Sequence, residues 1–320
     1  MSKKRWIALL IFVVLLAVYI GLQSKAALPE LGVGQEEWKE KIYQQGGPDR
    51  IAMLTVEGTI VEQSGDPFFS GSLYNHRLFI KQIKHAFEDP TVKAVILRVN
   101  SPGGGIVESD EIYTIIRELK ETYNKPVVAS MGNMAASGGY YISAAADKIV
   151  ASSGTITGSI GVIVANYNIK ELADQWGIKE EAITSGPHKN MLSPLQEMSP
   201  EERAIVQDLV DEAYQNFVNA VAEGRGMAES EVRKLADGRI YSGEQAHAVG
   251  LVDELGYLDD AIEQAAQLAD VENPTVITYE LSGWSLLSGA LAKGKVPEMI
   301  GIEAVFPLDV SPKVMYLLNW

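Results

Sequence analysis

AVILRVNSPGGGIVESDEIYTIIRELKETYNKPVVASMGNMAASGGYYISAAADKIVA, residues 94–151, carries the pattern on which the fold turns. It opens on Ala94–Val99, an apolar run broken only by Arg98. Such a run is too short for a core helix and too continuous for a strand with one wet face. Asn100–Gly105 is a glycine-rich turn, and Ser109–Tyr123 then places Ile112, Ile115, Ile116 and Leu119 on one helical face. Pro126 stops that helix, because the residue before a proline leaves the helical region. Pro126–Ser130 reads as a second buried strand, Ser137–Ala146 as a helix and Lys148–Ala151 as a third strand. Strand, turn and helix in repetition imply parallel strands covered on both faces, hence an α/β fold.

The same alternation extends outward. Ile51–Val56 reads as a strand and Arg77–Glu88 as a helix with Phe79, Ile83 and Phe87 inward, closed by Asp89-Pro90. Ile160–Val164 reads as a strand. Ser199-Pro200-Glu201-Glu202 is a capping box with proline at the first helical position, opening a helix striped by Ile205, Leu209, Ala213, Phe217 and Val221. Glu229–Leu235 and Tyr257–Leu268 read as helices and Thr275–Tyr279 as a strand. One domain over 49–280 follows, including a helical segment 199–235. Residues 23–48 read as a linker or loosely held helix, and 281–320 as a glycine- and proline-interrupted C-terminal segment without an assigned role. The apolar end of that segment, Val314–Trp320, is extended enough to enter a peptide groove, although a strand or a frayed end is the commoner fate.

At the N-terminus, Lys3, Lys4 and Arg5 precede an uncharged apolar run, residues 6–22. A membrane span needs about 17–25 such residues, and Trp6 and Tyr19 suit the two interfaces. The basic cluster keeps residues 1–5 in the cytoplasm and sends the rest across. A cleaved signal peptide is the rival, but its apolar core is usually about 7–15 residues, so an uncleaved anchor in membrane lipid is expected.

Composition excludes several chemistries. The net charge is −15 even with the basic N-terminus, so phosphate backbones are repelled and no nucleic-acid partner is expected. There is no cysteine, hence no disulfide, thiolate metal site or thiol nucleophile. The four histidines, His76, His85, His188 and His247, form no zinc-binding spacing, so no metal and no cofactor is expected.

Two turns carry the candidate chemistry. Asn100–Gly105 follows a buried strand, where α/β folds bind ligands, and its glycines let backbone N–H groups approach a ligand. An oxyanion hole or anion cradle is the functional reading; an ordinary tight loop is the commoner one. Met131–Tyr141 also joins a strand to a helix, with small residues on both sides of Ser137. A serine there is exposed to substrate with the Gly138 N–H beside it, as nucleophilic catalysis requires, yet helix N-caps are often serine too. The segment is not a GxSxG elbow, because residue 135 is alanine.

A serine nucleophile needs a base. His188, in the loop Thr184–Asn190, is the histidine best placed for it. Its neighbour Lys189 is the other candidate, and a lysine serves as a base only when burial lowers its pKa from about 10.4 towards 7–8. The residues alone do not choose between them. Thr155–Ile163 is strand-like and glycine-punctuated, either a bulged core strand or an edge for an added substrate strand. Asp237–Gly243 with Gly250–Asp253 reads as scaffold.

Taken together, NSPGGG at 100–105, SMGNMAASGGYYISAAADKIVA at 130–151, TGSIGVI at 157–163, SGPHKN at 185–190 and GRIYSGEQAHAVGLVDELG at 238–256 resemble the signal peptide peptidase A family. That family is related in fold to Clp protease and the crotonases. The resemblance covers roughly residues 50–260 in order. It implies repeated parallel β-β-α units and a serine endopeptidase with a Ser–Lys dyad, Ser137 as nucleophile and Lys189 as base, both in one chain. It further implies Ser159 as the residue orienting the lysine, Gly104 and Gly138 as backbone oxyanion donors, and His188 as a bystander. Apolar peptides such as cleaved signal peptides are the implied substrates, and a ring-like homo-oligomer on the outer face of the cell membrane the implied assembly. A crotonase-type acyl-thioester enzyme and a non-catalytic membrane scaffold are the alternatives that the same fold allows.

Overall fold

A computed structural model of the chain describes residues 38–62, 74–281 and 314–317. The basic tail, the apolar run 6–22 and most of 281–320 lie outside the described residues. Among the described residues, no helix is long and apolar enough to cross a membrane. The chain divides into two compact units. One comprises Glu40–Tyr279 with Ile302–Trp320 and holds the fold and the site set out below. Of the other, Met1–Lys39 with Glu280–Gly301, the described residues are two strand ends.

The fold is mixed α/β around a sheet dominated by parallel pairs. The strands are β1 (Trp38–Gln44), β2 (Arg50–Glu57), β3 (Val92–Ser101), β4 (Gly103–Gly105), β5 (Val127–Ala136), β6 (Lys148–Ala151), β7 (Ile156–Gly158), β8 (Ile163–Val164), β9 (Ile240–Ser242), β10 (Glu254–Leu255), β11 (Thr275–Leu281) and β12 (Val314–Leu317). The helices are α1 (His76–Glu88), α2 (Ile106–Tyr123), α3 (Gly138–Ser143), α4 (Lys170–Gln175), α5 (Pro200–Arg225), α6 (Glu229–Leu235), α7 (Gly243–Ala248) and α8 (Leu258–Leu268). The main sheet runs β1-β11-β2-β3-β5-β6-β10, with β7 joined to the far end of β5 and β9 antiparallel to β7. A second, three-stranded sheet runs β4-β12-β8.

The continuous apolar run 94–99 becomes central strand β3, and Ile96, Leu97 and Val99 are wholly inaccessible to water. Alternate residues of such a strand face opposite layers. Ala94 and Ile96 pack with Ile51, Val128 and Val276 under Ala261, Ile262 and Ala265 of α8. Phe79, Ile83 and Phe87 are the buried face of α1. The end of α1 is closed by Lys125, whose amine donates to the carbonyls of Phe87 (2.7 Å) and Asp89 (2.5 Å). Helix α5 starts at the expected capping box, with the Ser199 hydroxyl accepting from Glu202 N–H and the Glu202 carboxylate from Ser199 N–H.

Three expected elements differ. Trp38–Gln44 is a strand rather than a linker, because it adds to the open edge of β11. Residues 160–164 hold only the two-residue strand β8, since Ser159 and Gly158 both turn at positive φ. Strand β5 runs on to Ala136, six residues past the expected end. It pairs Val99 with Met131 and then Ser101 with Ala135, so β5 bulges at Gly132–Met134. The Asn100 side chain holds the bulge by accepting the Met134 N–H at 3.2 Å. This extension delivers Ser137 next to the glycine turn.

Candidate active site

Ser137 stands at the sharp turn from β5 into α3 with φ 55° and ψ −119°. Positive φ in a non-glycine residue costs about 1–3 kcal/mol and survives where surroundings over-determine it. Here the Ser137 N–H donates to Gly158 O at 2.7 Å, and Ser137 O accepts from Tyr141 N–H at 2.9 Å. Its side chain makes no capping bond, so the hydroxyl is not the N-cap that a serine at this position often is. Ser137 is 1% exposed.

The glycine turn lies against it. Gly103 N–H is taken by the Ser101 hydroxyl (3.1 Å) and Gly105 N–H by Ile60 O (2.7 Å). Gly104, between them, faces the strand that pairs with it, β12. A β-carbon built on Gly138 would lie 3.0 Å from Gly104 N and 2.6 Å from the Ser109 hydroxyl, so the two expected donor residues are close neighbours. One built on Gly103, at φ +103°, would lie 2.6 Å from Gly138 N and 2.2 Å from the carbonyl oxygen of Tyr316. The tail carbonyl and the Gly138 N–H therefore share the space above Gly103. Gly103→Ala is expected to lower the melting temperature, because its methyl group would collide with the Tyr316 carbonyl and with Gly138 N. A melting temperature equal to the parent's would show that the turn yields without cost.

The tail itself is strand β12, antiparallel to both β4 and β8, with Met315 opposite both Gly105 and Ile163. Residues 314–317 are thus a strand, the commoner fate expected of that segment, seated between two other strands. Tyr316 is fully buried against Tyr141 and Phe217. Beside β8 lies a cavity of about 280 Å³ lined by Ile163, Val164, Val206 and Val210 among others.

Ser159 also has positive φ, at 51°, and its N–H donates to Arg239 O at 2.8 Å. Gly158 is pressed against the ring of Tyr241, where a β-carbon would come within 2.5 Å. The segment 237–243, read from sequence as scaffold, thus holds Gly158, whose carbonyl anchors Ser137, and its neighbour Ser159. The guanidinium of Arg239, hydrogen-bonded to Asp237, pulls that carboxyl down to about 2.

The two candidate bases are placed differently from Ser137. Lys189 lies in the turn run 185–192, with its backbone N–H on Gly186 O at 3.2 Å and its side chain exposed. His188 turns to the first turn of α5, with Nε2 3.5 Å from Glu201 Oε1. Among the described residues, no group of acidic or histidine side chains could hold a metal ion. Tyr113, Tyr141 and Phe217 were not singled out as site residues in the sequence. The two tyrosines and the phenylalanine look like core there, and only the placement of β12 shows what they line.

Residues 120–272 match the model of peptidase family S49. A protein of Enterococcus faecium provisionally designated signal peptide peptidase SppA is 39% identical over 95% of this chain and 92% of its own length. The chain belongs to peptidase family S49. Residues 75–153 of this S49 peptidase also match Clp protease, in keeping with its parallel-dominated sheet. Serine protease SPPA, chloroplastic, of Arabidopsis thaliana is 34% identical over 89% of this S49 chain, and Protease 4 of Haemophilus influenzae 35% over 80%. The chain spans about two fifths of the length of those two relatives, 42% and 41%. A membrane-bound stomatin-specific protease mutant of known structure superposes with a TM-score of 0.45 at 16% identity, covering 69% of this chain and 86% of that one.

Proposed function

We propose that this S49 peptidase is a membrane-anchored serine endopeptidase in which Ser137 attacks the peptide carbonyl and Lys189 is the base. The observation that carries this reading is Ser137 held at positive φ beside the Gly104 and Gly138 backbones, where an extended segment of chain lies between β4 and β8. In the proposed step an uncharged lysine amine takes the Ser137 proton as the hydroxyl adds to the carbonyl carbon. The N–H groups of Gly104 and Gly138 receive the oxyanion, and the amine then returns its proton to the leaving nitrogen. Ser159 orients the amine. No cofactor or metal takes part.

An extended apolar peptide, such as a cleaved signal peptide, is the proposed substrate, because the groove offers strand edges for backbone pairing and aromatic and aliphatic walls for side chains. The apolar run 6–22 is the proposed anchor in membrane lipid, with the peptidase on the outer face. Tyr167, Trp176 and Ile183 are exposed by 83%, 77% and 100% on the segment that leads to Lys189. A ring-like homo-oligomer would cover these side chains and take the lysine out of water.

The direct test is labelling of the full chain by a fluorophosphonate. Mass spectrometry is expected to find the adduct on Ser137, and a chain that stays unlabelled while folded favours the non-catalytic scaffold. Removal of residues 311–320 is expected to raise turnover of an added apolar peptide several-fold, since β12 occupies the groove. Unchanged kinetics would show that the tail does not compete.

A further inference from the structure

Just before the nucleophile, β5 crosses a stretch where the sheet leaves it without neighbours. On one side β6 pairs with residues 128–130, and β7 takes over at Met134. On the other side β3 pairs up to Val99 with Met131 and resumes at Ser101 with Ala135. Gly132 and Asn133 thus have no strand partner on either side among the described residues. Backbone groups released by a broken ladder need other partners, and three side chains supply them. Asn100 Oδ1 accepts the Met134 N–H at 3.2 Å, and the Thr155 hydroxyl donates to Gly132 O at 2.8 Å. Arg98 Nη1 donates to Met131 O at 3.0 Å and to the Ser130 hydroxyl at 2.9 Å. Arg98 is the charged member of the three. It is half-buried in the otherwise apolar β3, and the hydrogen-bond partners of its guanidinium among the described residues are those two neutral oxygens. Burial pushes its pKa below the ordinary value. A cation partly stripped of water, with no carboxylate beside it, is unfavourable for the fold, so its stability alone does not account for an arginine here.

We propose that Arg98 is a positioning residue for the nucleophile: by holding Met131 O and the Ser130 hydroxyl it fixes where β5 enters its unpaired stretch, and so where Ser137 stands beside Gly104. The inference rests on the peptidase reading above, and gives that site a residue that acts through β5 without touching substrate. A charged donor bonds a carbonyl more strongly than a neutral one, and one nitrogen shared by two acceptors fixes β5 at two successive residues. The far end of the stretch is held separately. There the Thr157 hydroxyl donates to Ala135 O at 2.6 Å and the Ser137 N–H to Gly158 O. With that end fixed and the entrance released, the residues between would rearrange and Ser137 would turn with them. A misplacement of about 1 Å from a change remote from the chemistry is enough to lower the rate by about a hundredfold. The strand edges proposed to bind substrate, β4 and β8, make no contact with the Arg98 guanidinium, so binding is expected to survive where turnover does not.

The test compares the full chain in detergent with Arg98→Met, which keeps an apolar stem and loses every donor, and with Arg98→Lys, which keeps the charge without the planar fork. Arg98→Met is expected to lower kcat on a quenched apolar peptide by about ten- to a hundredfold while KM stays within about twofold. The melting temperature should move by no more than a few degrees. Fluorophosphonate labelling of Ser137 should slow by a similar factor. Amide hydrogen exchange should quicken at residues 132–137 and keep the parent's protection in the rest of the main sheet. Arg98→Lys is expected to fall between the two chains. Parental kcat in Arg98→Met overturns the inference, and so does a loss carried by KM or by melting temperature with unchanged exchange at 132–137. A parent chain without turnover or label, whose Arg98→Met variant still exchanges faster at 132–137, keeps the hold on β5 and sinks the peptidase reading. If Arg98→Met does not fold, Arg98→Lys decides by the same measurements: a several-fold loss of kcat at unchanged KM supports the inference, and parental kcat and exchange overturn it.

Discussion

Ser137→Ala is expected to reduce peptide turnover by about 10⁴–10⁶-fold, the scale on which loss of a serine nucleophile acts elsewhere, with the fold intact. Two features of the site make this a sharp expectation. The hydroxyl makes no capping bond to α3, so its removal leaves no helix N–H unpaired. The backbone strain at φ 55° is the same for alanine as for serine, so the turn keeps its geometry through Ser137 N–H to Gly158 O. Melting temperature should therefore change by no more than a few degrees while the fluorophosphonate adduct disappears. Turnover within tenfold of the parent would mean that another group attacks the peptide, and the assignment of this turn as catalytic would fall.

Lys189→Ala is expected to lower turnover by at least about 10²–10⁴-fold, the range for loss of a general base, whereas His188→Ala is expected to leave it within a few-fold. The contrast is informative because the two residues are adjacent in the chain and the sequence did not separate them. His188 has a partner of its own in Glu201. Lys189 has an exposed side chain in the single chain, on a segment whose large apolar groups also face water. On the proposed reading, assembly removes the amine from water, so activity should fall as the protein is diluted below its association constant. Dilution series of kcat/KM alongside sedimentation measure that directly. A fully active monomer, or an inactive His188→Ala chain beside an active Lys189→Ala chain, would discard the dyad.

The periodicities of residues 94–151 were enough to state parallel strands and an α/β layer structure, because burial on both faces forces a continuous apolar run and a helix forces a repeat near 3.6. Local chemistry also sufficed for the capping box at Ser199 and for the stop before Pro126, which depend on neighbours in the chain alone. Ser137 could be named as a candidate because small residues at a strand-to-helix turn are a local signal. Its positive φ could not, since that conformation is imposed by Gly158 O, a partner brought up by β7.

What the chain order alone could decide were matters of near neighbours: periodicity, caps, breakers and the spacing of the two small-residue turns. What required the folded molecule were meetings between distant residues. Arg239 and Tyr241 steady Ser159 and Gly158, and Tyr316 lies between Gly104 and Tyr141. Such contacts close loops of tens to hundreds of residues, and no local preference of the backbone encodes which apolar side chain will arrive at the end of one.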